Sequence, residues 1–596
     1  MRKIEIPFSP SLIQSLVLLE QLKIQHCNEL ETLFNDGEIE PKTSSLPLRL
    51  PKLRTLFIRA CSKLEYVVPI PLAQGLPALA SLSVSSCGAL KQVFGMPYEQ
   101  NGVQHHSSLL LPSLQDLELD WLRNLTSFVP QNYIVKAPSL KSVKANVCSK
   151  VINFPIQQAN NQLELTLKET GLSAFKELLC NTKDLVLHNI GDHKNLVPDL
   201  VDLEHLDGLT SISINKWSSG ECLVDASQIM MNFKCNGQPP KCFLQNLKIL
   251  RVVDCEKISE IFRIDDGIES NARYLPNLKF VEIRECPSLE YFFPHTSIGG
   301  FSHLEEIKLV GLRTLKSIVG ENNFLEAPTL KILYIRGCSA FTNFTFHKEF
   351  KKCVFLKELF FSMEDTGSED VNLCDMVNTQ LRQKSPDFEY VTLGNFEQLF
   401  QLQGGNIISS LEKMELFNVI RLQDIWKGPI HVATNLRELR VRHCNNLTDI
   451  FPVMFIPHLP QLSILNIASC ENLKQIIGND DILASSSSSQ GPQLEMKMVF
   501  PQLKKIELEN LSKLESFNPV GYHLEIPCLH SLDIKKCSKM ITSFSADYLT
   551  LTVHAKTDQA SQLNDISPSR EDIIWERRRP TLLPQYKEAK EISPFQ

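Results

Sequence analysis

The sequence predicts an α/β repeat solenoid, with a parallel β-sheet on its concave face and mostly irregular turns and short helices on its convex face. Three observations predict it. One set of apolar offsets returns along nearly the whole chain, the set contains a period-2 pair, and proline stands just ahead of that pair in many copies.

The clearest copy is LPNLKFVEIRECPSLEYFF, Leu275 to Phe293. Counted from Leu278, its apolar residues are Val281 (+3), Ile283 (+5), Cys286 (+8), Leu289 (+11) and Phe292 (+14). The offsets return at Leu53, Leu56, Ile58, Cys61, Leu64 and Val67, and again at Leu436, Leu439, Val441, Cys444, Leu447 and Ile450. Self-similarity at a fixed period marks a stacked array, in which each unit buries its apolar face only against its neighbours. The +3/+5 pair is the alternation of a short strand with one buried face, so +2, +4 and +6 point to solvent.

Proline at −2 (Pro51, Pro77, Pro112, Pro138, Pro276, Pro328, Pro460, Pro501, Pro527) suits strand entry. It fixes φ and donates no hydrogen bond, which a ladder interior would require. The return limbs are short, and segments such as CSKLEYVVPIPL carry prolines where a helix would have to continue. A right-handed solenoid follows, with strands stacked ~4.8 Å apart.

Taken in order, residues 1–18 form a lead-in, 19–552 the array and 553–596 a polar, flexible tail. Repeats begin at Leu19, Leu53, Leu79, Leu114 and Leu140, then at Leu247, Leu278, Leu304, Leu330 and Leu356, and then from Phe388 through Leu411, Leu436, Leu462, Leu503 and Leu529. The pattern degenerates near 155–246 and 365–386. With the weak copies the array holds about 18 repeats. The +8 residues read Cys61, Cys87, Leu122, Cys148, then Cys255, Cys286, Leu312, Cys338, then Cys444, Cys470, Leu511, Cys537. That order makes three related blocks, near 53–154, 247–346 and 436–545, and points to triplication of a four-repeat unit.

With 43% hydrophobic and 22% charged residues the chain has the balance of a folded, soluble protein. A net charge of −7 argues against a general nucleic-acid binder, which shows a basic stripe. No run approaches the ~18 apolar residues of a membrane span. Gln14, Ser15 and Glu20 interrupt the N-terminal apolar stretch, so no secretory leader is expected. Of 17 cysteines, ten stand at +8, the nine just named and Cys27. A disulfide framework has no reason to keep to one phase of a repeat, whereas a buried thiol packing as a small hydrophobe does. A reducing compartment is therefore expected, cytoplasmic with the nucleus also open.

The devices of catalysis and cofactor binding are absent: no GxxxxGK[ST], GxSxG, HExxH or CxxC occurs. His105 and His106, and the carboxylate pairs Asp265–Asp266 and Asp480–Asp481, fall in loop-like stretches and read as solvated. No enzyme activity, cofactor or metal is expected. The strand faces carry a different signal. Phe280, Arg284, Lys308, Tyr334, Arg336, Phe360, Tyr390, Phe417, Arg440 and Arg442 all stand at +2, +4 or +6. Aromatic residues and arginine are concentrated at protein–protein hot spots, whereas a face that meets only water can be as plain as Ser81, Ser83 and Ser85. These ten residues are the candidate protein-binding patch of the concave face.

The pattern LxxLxIxxCxxLxxΦ, with Φ a large apolar residue, spaced 26 residues apart from Leu53 to Leu79, is identified as a leucine-rich repeat, whose fold is a horseshoe solenoid. The finer pattern resembles the repeat region of plant intracellular disease-resistance proteins of the coiled-coil nucleotide-binding leucine-rich-repeat class. The phrases that carry it are QLSILNIASCENLKQII, GNDDILASSSSSQGPQLEMKMV and FPQLKKIELENLSKLESF, and the likeness runs from Leu19 to about Phe544. Those receptors carry a coiled coil and a nucleotide-binding switch ahead of the repeats, and this sequence has neither. The resemblance implies a sensing or autoinhibitory part of a defense receptor. Its partner would be a pathogen-derived ligand, a guarded host protein or a receptor's nucleotide-binding domain.

An alternative is the substrate-recognition leucine-rich-repeat subunit of a ubiquitin ligase, whose repeats also carry cysteine at this position. Those repeats look like CxxITDxGLxxL, where this chain has CSKLEYVV and CENLKQII, and no F-box segment precedes Leu19. An extracellular receptor would show NxLxGxIP, which is absent, and the sequons at Asn124 and Asn446 fall on repeat phase.

Overall fold

The computed structural model describes residues 8–34, 49–96, 107–190, 194–197, 208–225, 228, 242–263, 273–293, 301–319, 325–338, 340–341, 350–351, 356–362, 398–401, 410–419, 422–427, 434–478, 496–547, 550, 552–557 and 572–576. The chain forms two compact units, Met1–Ile408 and Ser409–Gln596. In each, one strand per repeat enters a parallel sheet.

In the first unit the strands run from Gln21–Gln25, Thr55–Arg59 and Ser81–Ser85 to Phe280–Arg284, Glu306–Val310, Ile332–Arg336 and Glu358–Ser362. Equivalent positions lie opposite each other, so Leu56 faces Leu82 and Val281 faces Ile307. The second unit repeats the arrangement with Lys413–Phe417, Glu438–Arg442, Ile464–Ala468, Lys505–Glu509 and Ser531–Lys535. This is the solenoid the periodicity predicts. The +3 and +5 side chains make the core, with Val281, Ile283, Leu439 and Val441 all fully buried.

Each strand ends the same way. The +7 residue adopts a left-handed conformation in coil after coil, from His26 (φ 58°) and Ala60 (φ 54°) to Asn510 (φ 54°) and Lys536 (φ 53°). Its N–H then donates to the +6 carbonyl of the next strand, as from Glu285 to Val310 at 2.9 Å and from His443 to Ala468 at 3.0 Å. The +8 cysteine follows directly, and its thiol donates to the +6 carbonyl of its own repeat: Cys286 to Arg284 at 3.2 Å, Cys537 to Lys535 at 3.3 Å, Cys444 to Arg442 at 3.4 Å. The phase-locked cysteine is thus both a core residue and a clamp on the turn. Nine of the ten +8 cysteines are buried, Cys27 being intermediate, and no disulfide joins the cysteines of the described residues.

The lead-in holds a short helix, Pro10–Ser15, and the return limbs hold turns and short helices such as Ile70–Ala73 and Lys176–Cys180. To these the structure adds short parallel strands the sequence reading did not include. Tyr66–Pro69 pairs with Gln92–Gly95, Ser107–Leu110 with Tyr133–Lys136, and Met496–Val499 with Tyr522–Ile526. Inside the limb a file of phenylalanines runs from coil to coil, with ring centroids 5.2 Å apart for Phe94–Phe128, 4.8 Å for Phe128–Phe154 and 4.7 Å for Phe154–Phe175.

The stretch read as degenerate near 155–246 continues the sheet, and the structure shows why its phase is lost. Gln162–Lys168 is seven residues long: Leu165 faces Val143 on one side, while Leu163 faces Leu185 on the other. The register steps by two residues. An even step keeps every side chain on its own face, so the core survives while the spacing of leucines does not. Trp217 then fills a +8 position and is fully buried. The second degenerate stretch, 365–386, lies outside the described residues.

Two pieces of the segment expected to be a flexible tail are strands. Val553–Thr557 pairs antiparallel with Tyr522–Ile526 and with Thr542–Ala546, and Ile573–Glu576 pairs antiparallel with Ser531–Lys535. Alternation of Val553, Ala555 and Thr557 toward the core supplies the apolar face that the polar composition of the segment hid. No helix of the described residues is long and apolar enough to cross a membrane.

Candidate functional site

The face of the main sheet turned away from the core is where the sequence placed its candidate residues. Parallel, in-register pairing sets equal phases side by side, so each row across the strands is a line of side chains ~4.8 Å apart. In the first unit the +4 row reads Arg251, Glu282, Lys308, Tyr334 and Phe360 over five consecutive strands. Every member engages its neighbour. Glu282 takes Arg251 Nε at 3.3 Å on one oxygen, and Lys308 Nζ at 3.3 Å and Arg284 Nε at 2.7 Å on the other. Lys308 Nζ lies 5.6 Å from the Tyr334 ring centroid, and Tyr334 stacks on Phe360 with centroids 4.2 Å apart. Arg251 also sits 4.9 Å over the ring of Phe280, at +2. Beside the row, burial pushes the Glu306 carboxyl up, against the pull of Lys308 and with the repulsion of Glu282 and Glu358.

Phe280, Arg284, Lys308, Tyr334, Arg336 and Phe360 are therefore gathered on adjacent strands, each half-buried. Rings and cation stems are held against one another there, and Glu282 holds three cations in place.

In the second unit the arrangement differs from expectation. Arg442, expected to face solvent, is only 8% exposed. Its Nε donates to Asn466 Oδ1 at 3.2 Å, Asn466 donates in turn to the Glu507 carboxylate, and Lys505 Nζ holds Glu507 at 2.6 Å. Arg440 pairs with Glu438 on its own strand. Burial pushes the Glu415 carboxyl up despite Arg440 and Arg442, and lowers Arg442. A polar chain across three coils closes over the Arg442 guanidinium, so it is a buried network member and not a patch residue. Phe417, edge-on to His443 at 5.3 Å, stays half-buried. Tyr390 lies outside the described residues.

The profile described as "Plant disease resistance protein RPS2-like, leucine-rich repeats" matches residues 41–171, 157–311, 221–363 and 410–553. The chain belongs to this family. The RPS2-like match thus extends through the degenerate coils near 155–246, where the register step hides the spacing. Among solved structures, the mouse RP105/MD-1 complex is similar at 15% identity over 79% of this chain and 77% of that one, with a TM-score of 0.26. The TLR13–ssRNA13 complex is similar at 15% identity over 78% of this chain and 82% of that one, with a TM-score of 0.17. Scores that low transfer nothing to the RPS2-like chain from either structure. No curated protein matches the chain.

Sequence reasoning missed Arg251 as a member of the first patch and Glu282 as its hub. Both stand at +4, and reading the rows across coils would have found them. It also missed two features that no single repeat contains. A cavity of about 750 Å³ in the first unit runs along the +7 rim, past Glu169, Asn189, Lys216, Asp254, Glu285 and Gly311. In the second unit, His523, Glu525 and His554 converge from two strands.

Proposed function

We propose that this chain is a non-catalytic protein-recognition module of plant innate immunity, acting inside the cell as the sensing or autoinhibitory repeat region of a receptor. The partner is a protein: a pathogen-derived ligand, a guarded host protein or a receptor's nucleotide-binding domain. It docks on the concave strand face of the first unit, and the Phe417 and Arg440 coils offer a second contact area. The observation that carries this reading is the row Arg251–Glu282–Lys308–Tyr334–Phe360. Its side chains are already paired in the unbound protein, so little rotamer freedom is lost on docking. Aromatic rings flanked by arginine and lysine are also the composition of binding hot spots.

The test uses the full chain with the triple change Tyr334→Ala, Arg336→Ala and Phe360→Ala. Capture is measured for a purified nucleotide-binding domain of an RPS2-like receptor and for proteins of pathogen-treated leaf extract. Hydrogen exchange of the main-sheet strands controls for folding. A loss of at least about tenfold in capture by a folded variant supports the reading, since a hot-spot truncation costs ~2 kcal/mol or more. Undiminished capture moves the site off this face.

A further inference from the structure

We propose that His523, Glu525 and His554 form a site for a divalent transition metal, zinc in particular, which ties the strand Val553–Thr557 to the coil strand Tyr522–Ile526. The two strands are antiparallel neighbours, with Glu525 directly opposite His554. Leu524, Ile526, Val553 and Ala555 fill the core, so by alternation His523, Glu525 and His554 share the outer face. His523 Nε2 lies 3.0 Å from His554 Nδ1, and one ligand atom from each of the three residues lies within 4.8 Å of the others. Two nitrogens bound to one tetrahedral zinc at ~2.05 Å stand about 3.3 Å apart. The imidazole pair is therefore near the separation a shared ion requires, and the rings need only part by a few tenths of an ångström.

The donor set selects the ion. Two neutral imidazoles and one carboxylate suit zinc and its first-row neighbours, whereas calcium and magnesium take oxygen ligands. Intermediate exposure of all three residues leaves an approach for the metal and room for a water as fourth ligand. Without metal the two rings share one N–H···N hydrogen bond. Metal binding needs a lone pair on both facing nitrogens, so the shared proton moves to the far nitrogen of its own ring and the imidazoles lose no net proton. Lys497 Nζ holds Glu525 Oε1 at 2.8 Å and competes with the metal for that oxygen. The site joins segments 31 residues apart in sequence, which is why no spacing motif announces it.

The experiment is equilibrium dialysis of the full chain against zinc chloride, with cobalt(II) as a spectroscopic substitute. The expected result is one equivalent of zinc, a cobalt spectrum without thiolate charge-transfer bands, and slower hydrogen exchange across Val553–Thr557 when metal is present. His554→Gln, and separately His523→Ala, should abolish that equivalent, while Lys497→Gln should tighten it several-fold by releasing Glu525. Retention of one equivalent by both histidine variants, a thiolate signature with cobalt, or no binding by the unaltered chain overturns the proposal. Lys497→Gln leaves the ligands intact, so the site stays testable if a histidine variant fails to fold.

Discussion

The ring of Tyr334 lies on the ring of Phe360, centroids 4.2 Å apart and planes 10° from parallel. The two residues hold the same phase on adjacent strands, so in-register pairing delivers the stack without help from any loop. Such a pair contributes ~0.5–1.5 kcal/mol beyond the area it buries. A double-mutant cycle of Tyr334→Ala and Phe360→Ala, read as hydrogen exchange of Ile332–Arg336, should therefore show coupling of about 1 kcal/mol. Strictly additive effects would mean that the rings merely neighbour each other.

Most of the fold was legible because stacking gives each phase one environment for the length of the array. Leu56, Val281 and Leu439 meet the same surroundings, and so carry the same residue types. What was not legible depends on two coils at once. The step of two at Gln162–Lys168 concerns its pairings on both sides, and no single repeat records it. Arg442 has the phase of a solvent-facing residue, yet Asn466 and Glu507 from the following coils close over it. Periodicity gives the face of a residue; only the neighbouring coils give its exposure. The left-handed +7 position did leave a trace, since Asn189, Asp254, Gly311, Gly337, Asn418 and Asn510 are residue types that tolerate it.

The thiols should react in an order set by burial. Cys180 is exposed, while burial pushes Cys148 and Cys470 up to about 12 and holds Cys444 well above the usual thiol range. Thiolate is the reactive form, so native alkylation at mild alkaline pH, read by mass spectrometry, should mark Cys180 first and spare the other three until the array opens. Modification of Cys444 at the rate of Cys180 would remove the +8 clamp from this account.

Two carboxylates of the second unit should give opposite pH signs. Burial raises Glu415, so ionising it costs more in the folded than in the unfolded chain. Its contribution is fully present below the unfolded value of about 4.3 and is lost as pH rises through the folded value. Glu507 is also penalised by burial, but Lys505, Asn466 and Arg442 outweigh that and lower it. Its contribution is present above about 4.3 and is lost as pH falls through the folded value. Glu415→Gln should flatten the loss of stability on the way from acid to neutral pH, and Glu507→Gln should flatten the loss on acidification. Urea midpoints of the two variants between pH 3 and pH 7 measure both, and equal slopes would refute the assignment.

The left-handed +7 position should answer glycine and alanine with opposite signs. Ala60 holds φ 54° there, and Gly311 holds φ 65° in its own coil. A left-handed backbone costs an ordinary residue ~1–2 kcal/mol, whereas glycine adopts it freely and gives up ~0.5–1 kcal/mol in unfolded-chain entropy. Ala60→Gly should therefore stabilise its coil, by up to about 1 kcal/mol. Gly311→Ala acquires the backbone strain, and its new Cβ falls on the carboxylate of Glu285, which must swing aside. It should cost at least about 1 kcal/mol. Since stability in an array is a sum of coil and neighbour contributions, hydrogen exchange of the flanking strands is the measurement, Thr55–Arg59 for the first change and Glu306–Val310 for the second. Protection should rise in the first and fall in the second. A fall in both would mean that the turn is set by its N–H donation to the next strand, not by the conformation of the +7 residue.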